Sequence, residues 1–189
     1  MDTTYFSRQY GVLVLYDSVH KEALSVVEVK YETNALYLAV FNDIRIKGIK
    51  IQSVIYDGRK GLIRHFFRTS VQLCQFHQVA TINRYLTRKP KSFAGQELRA
   101  LVLTLKESTK VAFETTLDIW FERHKTYLNE RTISQKTGKL IYTHQRLRSA
   151  YSSLRNNLNY LFSNYFVYYA EKRGIVDKIV ANFEIPYAY

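Results

Sequence analysis

The sequence predicts an α/β fold in which a mixed sheet comes first and a helical half follows. Three observations point there. Short apolar runs rich in Val, Ile and Leu alternate with one helical stripe over the first sixty residues. Every apolar stripe after about residue 97 has helical spacing. The whole is 189 residues, enough for one ordinary domain with an insertion and too little for two large cores.

Tyr10–Tyr16 (YGVLVLY) reads as a strand that stops at Asp17. Ala23–Val29 (ALSVVEV) is a second, and the short polar link between them predicts an antiparallel pair. Over residues 33–47 the period changes: Leu36, Val40 and Ile44 recur every fourth position beside Tyr37 and Phe41, predicting a helix capped by Thr33 or Asn34 and stopped by Gly48. Ile49–Tyr56 (IKIQSVIY) returns to a strand and ends at Asp57, with Gly58 as a turn residue. Strand, strand, helix, strand makes a mixed sheet, because the strand after the helix can return parallel to an earlier one. Residues 62–67 suit a short helix, Ser70–Cys74 a buried strand, and His77–Thr87 a basic helix closed by Lys89-Pro90.

Beyond that the stripes are helical. Leu98, Leu101, Val102 and Leu105 form one, and Phe113, Leu117, Trp120, His124 and Leu128 a longer one. Lys136-Thr137-Gly138-Lys139 reads as a turn or loop. Leu147, Ala150, Tyr151, Leu154, Leu158, Leu161 and Phe162 give the most regular stripe of all, with Arg148, Ser152, Arg155 and Asn159 on the opposite face.

Composition limits the function. With 47% hydrophobic and 23% charged residues the chain is a packed one and not a disordered one. No apolar run reaches transmembrane length and the polar start Met1-Asp2-Thr3-Thr4 is unlike a signal peptide, so a cytoplasmic chain without a membrane is expected. One cysteine, Cys74, excludes an internal disulfide framework and multi-cysteine zinc. The net charge of +12 is uneven: residues 58–99 carry 9 basic against 1 acidic side chain, and residues 132–160 carry 5 against 0. Two such blocks suit a phosphate-bearing partner, or simply a basic solvent face. The candidates for phosphate contact are Arg59, Lys60, Arg64, Arg84, Arg88, Lys89, Arg146, Arg148 and Arg155.

Asp17 and Asp57 each follow a strand-like run. If those strands are neighbours, the carboxylates emerge side by side, and a hard cation such as magnesium relieves their repulsion. Paired ions of that kind serve phosphodiester chemistry. The alternative is that each aspartate only begins a turn. In Leu73-Cys74-Gln75-Phe76-His77-Gln78, Cys74 and His77 have the spacing of half a zinc site, but no second cysteine exists to complete it. A Cys74 nucleophile with His77 as base finds no further support, and a strand-end pair at the edge of a site is preferred. Asp57-Gly58-Arg59-Lys60-Gly61 lacks the spacing of a phosphate-binding loop.

The ordered set Val12-Leu13-Val14-Leu15-Tyr16-Asp17, Ser53-Val54-Ile55-Tyr56-Asp57-Gly58-Arg59-Lys60-Gly61-Leu62, Gln72-Leu73-Cys74-Gln75-Phe76-His77-Gln78 and Arg84-Tyr85-Leu86-Thr87-Arg88-Lys89-Pro90 resembles bacterial insertion-sequence transposases of the Mutator/MULE type. Leu128-Asn129-Glu130-Arg131-Thr132 and Tyr142-Thr143-His144-Gln145-Arg146-Leu147-Arg148-Ser149-Ala150-Tyr151 extend the likeness, which runs from about residue 10 to 162. The resemblance implies an RNase H-like core with a DDE triad that binds Mg2+ or Mn2+ and cleaves and joins DNA. It places the first acid at Asp17, the second at Asp57 and the Cys-x-x-His element at Cys74 and His77. It also implies double-stranded DNA (transposon ends and target) as partner, a homo-oligomer, and a bacterial cytoplasm with nucleoid association on DNA.

Residues 10–96 are then expected to form the RNase H-like core with the first two acids, 97–162 the helical insertion and 163–189 a divergent tail, read as frameshifted. Two departures shape the expectation. The family's helix-rich DNA-binding region has no counterpart before the first strand. After Phe162 no acid has the family's Asn/Thr-rich lead-in, so Glu171 is the candidate third acid ahead of Glu184. The expectation is an incomplete, inactive transposase core, with a catalytically dead DNA-binding regulator of a full-length relative as the alternative. An unrelated basic nucleic-acid-binding module is the third reading, which the resemblance disfavours.

Overall fold

The computed structural model describes residues 1–6, 10–18, 20–66 and 69–163. The chain divides into two compact units, one covering Met1–Cys74 and one covering Gln75–Phe162.

The first unit opens with three antiparallel strands, β1 (Asp2–Phe6), β2 (Tyr10–Asp17) and β3 (Glu22–Val29), in the order β1-β2-β3. β2 is therefore central, with Asp2 opposite Val14 on one side and Gly11 opposite Val29 on the other. Its alternation is that of a half-covered strand: Gly11, Leu13 and Leu15 are buried while their neighbours are less so. The helix α1 (Asn34–Ile46) begins where Thr33 Oγ1 accepts the Leu36 N–H at 3.1 Å, and Gly48 follows at φ 81, the left-handed conformation that ends helices. Its stripe buries Tyr37, Val40, Phe41 and Ile44. Each such side chain contributes about 1.5–3 kcal/mol of burial.

β4 (Ser53–Tyr56) and β5 (Ser70–Leu73) form a parallel pair with Ser53 opposite Ser70, joined through a 3-10 turn at Leu62–His65. Val54, Tyr56, Val71 and Leu73 are their buried residues, and Phe66 meets Phe41 edge-on with ring centres 4.9 Å apart.

Three expectations change here. Residues 49–52 lie outside the strand, which begins at Ser53. The polar start contains a strand, Asp2–Phe6, whose pattern only makes sense against β2. That strand has a topological effect: β1 and β3 fill both edges of β2, so β4 pairs with β5 in a separate ladder and not with β2. The N-terminal ammonium of Met1 donates to the Ile55 carbonyl at 2.8 Å, bringing the start of β1 beside β4.

The second unit holds α2 (Gln75–Leu86), α3 (Phe93–Leu103), α4 (Lys110–Asn129) and α5 (Gln145–Leu161). α2 groups with the other helices in this unit. Ser92 caps α3 and Thr109 caps α4 through their hydroxyls. The core is Ile82, Leu98, Val102, Leu105, Phe113, Leu117, Trp120, Leu128, Ala150, Leu154, Leu158 and Leu161. Polar contacts tie the helices across it. Trp120 Nε1–H donates to the Ala94 carbonyl at 3.1 Å. The buried Gln78 amide donates to Ser153 Oγ at 3.0 Å and accepts from Asn157 Nδ2 at 3.1 Å. A mid-chain buried glutamine needs such partners, because an unbonded one costs about 1–3 kcal/mol. Between α4 and α5 the sequence-read loop is the tip of a hairpin of two short strands, β6 (Arg131–Ile133) and β7 (Leu140–Tyr142).

Candidate active site

Asp17 is the last residue of β2, opposite Glu22 and just after an irregularity in register between Leu15 and Tyr16. The turn that follows brings His20 back onto it: His20 Nδ1 lies 2.6 Å from Asp17 Oδ2, and the His20 backbone N–H points at Oδ1 from 3.4 Å. The hydrogen bond to Asp17, aided by that carboxylate's charge, raises the imidazole pKa above its ordinary value. Lys21, at φ 60, takes the strained turn position. Spacing three apart across a tight strand link was the signal for His20, and a search for paired histidines passes over it.

Asp17 and His20 stand on one wall of a cleft of about 650 Å³. Leu15, Leu24 and Phe41 line it together with residues 49–55, Lys50 among them. Asp57 is exposed and is not among the lining residues. It follows β4 directly, and its Oδ1 accepts the Arg59 N–H at 3.0 Å, closing a turn over Gly58 at φ 96. The expectation that Asp17 and Asp57 end neighbouring strands is corrected, since β2 lies between β1 and β3 while β4 pairs with β5. The physical reason is the β1–β2 hairpin, which occupies the edge that β4 needs.

The loop after Asp57 is anchored by Arg59. Its Nε donates to Asn34 Oδ1 at 2.8 Å, its Nη1 pairs with Glu32 Oε2 at 3.1 Å, and its Nη2 donates to the Glu32 carbonyl. Asn34 Nδ2 returns a bond to the Lys60 carbonyl at 3.2 Å. The same carboxylate accepts from Tyr37 Oη, and burial together with that bond pushes the phenol far above its ordinary pKa. Arg59 thus acts as a clamp between the loop and the start of α1. Neither Glu32 nor Asn34 carried any functional signal in the sequence.

Cys74 closes the β5 edge, its N–H donating to the Tyr56 carbonyl at 2.8 Å, and its thiol is free of disulfide bonding. His77 lies on α2 in the other unit, in edge-on contact with Phe76. Glu171 and Glu184 lie outside the described residues. Among the described residues no three His, Cys, Asp or Glu side chains gather as a metal cluster.

The basic candidates divide. Lys60, Arg64, Arg84, Arg88, Lys89, Arg146 and Arg155 are exposed. Arg84 and Arg146, from the two separate positive blocks, meet directly: Arg146 Nη2 donates to the Arg84 carbonyl, while Arg84 Nη2 donates to Thr81 Oγ1 at 2.8 Å. Arg155 pairs with Glu114 at 2.6 Å, and Arg148 bonds Leu128 O and Asn129 Oδ1 at 3.0 and 2.8 Å. No helix among the described residues is long and apolar enough to cross a membrane.

The chain thus comprises an α/β unit with strand-end aspartates and a helical unit with several exposed arginines. The family model described as "Transposase, Mutator family" matches residues 13–166, and the chain belongs to that family. No curated protein and no solved structure matches it. The matched span holds Asp17, Asp57, Cys74 and His77 and ends before Glu171.

Proposed function

We propose that this chain acts on double-stranded DNA as the RNase H-like, DDE-type core of a Mutator transposase. The observation that carries this reading is the family match, which spans both strand-end aspartates. In it Asp17 and Asp57 are two of three acids, Glu171 is the candidate third, and Mg2+ or Mn2+ is the cofactor. Carboxylate oxygens suit these hard ions. Among the described residues no three His, Cys, Asp or Glu side chains gather to hold an ion, and Asp17 is bonded by His20. The chain's own residues do simpler work: His20 holds the Asp17 carboxylate, and the Arg59 clamp fixes the loop that follows Asp57.

The engagement of Asp17 by His20 supports a second reading, a DNA-binding relative without strand-transfer chemistry that regulates an intact transposase. Cleavage and joining of labelled DNA bearing transposon ends, with magnesium or manganese, separates the two. The chain by itself is expected to bind DNA without joining it. Metal-dependent joining abolished by both Asp57→Ala and Glu171→Ala establishes a complete triad instead.

A further inference from the structure

We propose that the β6–β7 hairpin is a DNA-contacting arm that enters a groove of duplex DNA, a site separate from the aspartates of the first unit. The proposal rests on the reading that the chain handles DNA.

The arm is stiff at its base. The Thr143 N–H donates to the Glu130 carbonyl at 2.9 Å, and His144 stacks on Tyr127 with ring centres 3.6 Å apart. Two guanidinium groups lie over the Tyr142 ring, Arg148 at 3.7 Å and Arg131 at 4.5 Å from its centre. Arg131 Nη2 also donates to Tyr142 Oη at 2.9 Å. Such cation–π contacts hold rings and guanidinium planes in register.

Beyond this base the arm buries little. Ile133 is 68% exposed and Leu140, directly opposite it, 59%. A cross-strand apolar pair left in solvent has no part in holding a core together. The tip is shaped by the Gly138 N–H bonding the Ser134 carbonyl at 2.8 Å, with Gly138 at φ 65, and it carries Lys136 and Lys139. The sequence from 131 to 160 contains no acidic residue. Glu130, the acid at the arm's base, is paired with His144 at 2.9 Å. Charge of one sign on a narrow projection matches a polyanion better than a second copy of the same basic surface, which repels it. Size agrees as well. Three residues per strand rise about 10 Å with strands about 5 Å apart. A major groove about 12 Å wide and 8.5 Å deep admits a two-stranded ribbon. In that position the lysines reach phosphates, and Ile133 and Leu140 meet base or sugar edges.

Anisotropy of the full chain with a labelled duplex of arbitrary sequence, over a salt series, tests the arm. Lys136→Gln/Lys139→Gln is expected to weaken binding about tenfold near 0.1 M salt and to flatten the log–log salt slope by about 2. Ile133→Ser/Leu140→Ser is expected to weaken binding with the slope unchanged. Lys106→Gln/Lys110→Gln removes equal charge elsewhere in the helical unit and is expected to have a much smaller effect. Far-UV circular dichroism checks that all three variants fold. Equal losses from the arm and control pairs, or an unchanged slope in the arm variant, overturn the proposal while leaving DNA handling intact. Self-association without DNA that Ile133→Ser/Leu140→Ser abolishes, with DNA binding unaffected, assigns the arm to a protein interface and also overturns it. A wild-type chain that binds no DNA overturns the arm and the functional reading together, whereas an Asp57→Ala variant that joins DNA as wild type does counts against the assigned acids alone.

Discussion

The sheet unit and the helical unit use their arginines differently. In the first, one guanidinium, Arg59, gathers a loop and a helix start into a single clamp. In the second, exposed arginines also bridge helix to helix, Arg123 to Glu97 at 2.7 Å and Arg155 to Glu114 at 2.6 Å, alongside the half-buried Arg148 on Leu128 O and Asn129 Oδ1. A partly buried hub loses several bonds when cut, whereas exposed pairs are worth little singly. Net charge treats all these residues alike. Part of a positive excess is therefore internal bracing, and only the remainder is available to a partner.

The largest effects come from the cores and test whether the units differ there at all. Leu117→Ala in α4 and Leu13→Ala in β2 both empty fully buried sites, and each is expected to cost about 2–5 kcal/mol. Hydrogen exchange read amide by amide is expected to show the first loosening chiefly α3, α4 and α5, and the second the β1-β2-β3 sheet. Uniform loosening in both cases erases the contrast.

Next in size is the clamp. Arg59→Ala removes a donor from both the Glu32 carboxylate and Asn34 and is expected to cost about 1–3 kcal/mol in a thermal or denaturant melt. Arg155→Ala, its exposed counterpart, is expected to cost about 0–1 kcal/mol. Arg59→Lys should not rescue, because an ammonium cannot serve three acceptors with the geometry of a planar fork. Equal melts for the two alanine variants remove the distinction between hub and pair.

The smallest effect concerns pH. The hydrogen bond from His124, with the charge of Arg123, holds the Glu97 carboxyl below its ordinary value. A depressed carboxyl contributes stability above its unfolded pKa and loses it as pH falls through the lower, folded value. The stability gap between wild type and Glu97→Gln is therefore expected to be widest near neutrality and to close in acid below the usual glutamate range. A gap that stays constant across that range counts against the Glu97–His124 bond.

Much of the fold was legible because it is locally determined. Thr33 and Gly48 bound α1 as their chemistry requires, and the four-residue recurrence of α5 gives the buried face seen. The failures share one cause, dependence on distant partners. Asp2–Phe6 looks polar and irregular until β2 lies beside it, and that one strand decides which ladder β4 joins. The strands of the β6–β7 hairpin are too short for any period to show. At the candidate site, Asp17 and Asp57 stand at strand ends as read, but β1 decides that β2 and β4 fall in different ladders, and Arg59 answers to Glu32 across a distance no spacing rule covers.

The chain contains a single tryptophan, and Trp120 lies in the helical unit, 4% exposed, with its indole N–H bonded to Ala94 and its ring stacked against Tyr151. Tryptophan emission is consequently a built-in optical reporter placed within the helical unit. Far-UV dichroism averages over both units. Coincident transitions by the two signals mean a single cooperative unfolding, and a blue-shifted emission that outlasts part of the dichroic change means that the sheet unit melts first.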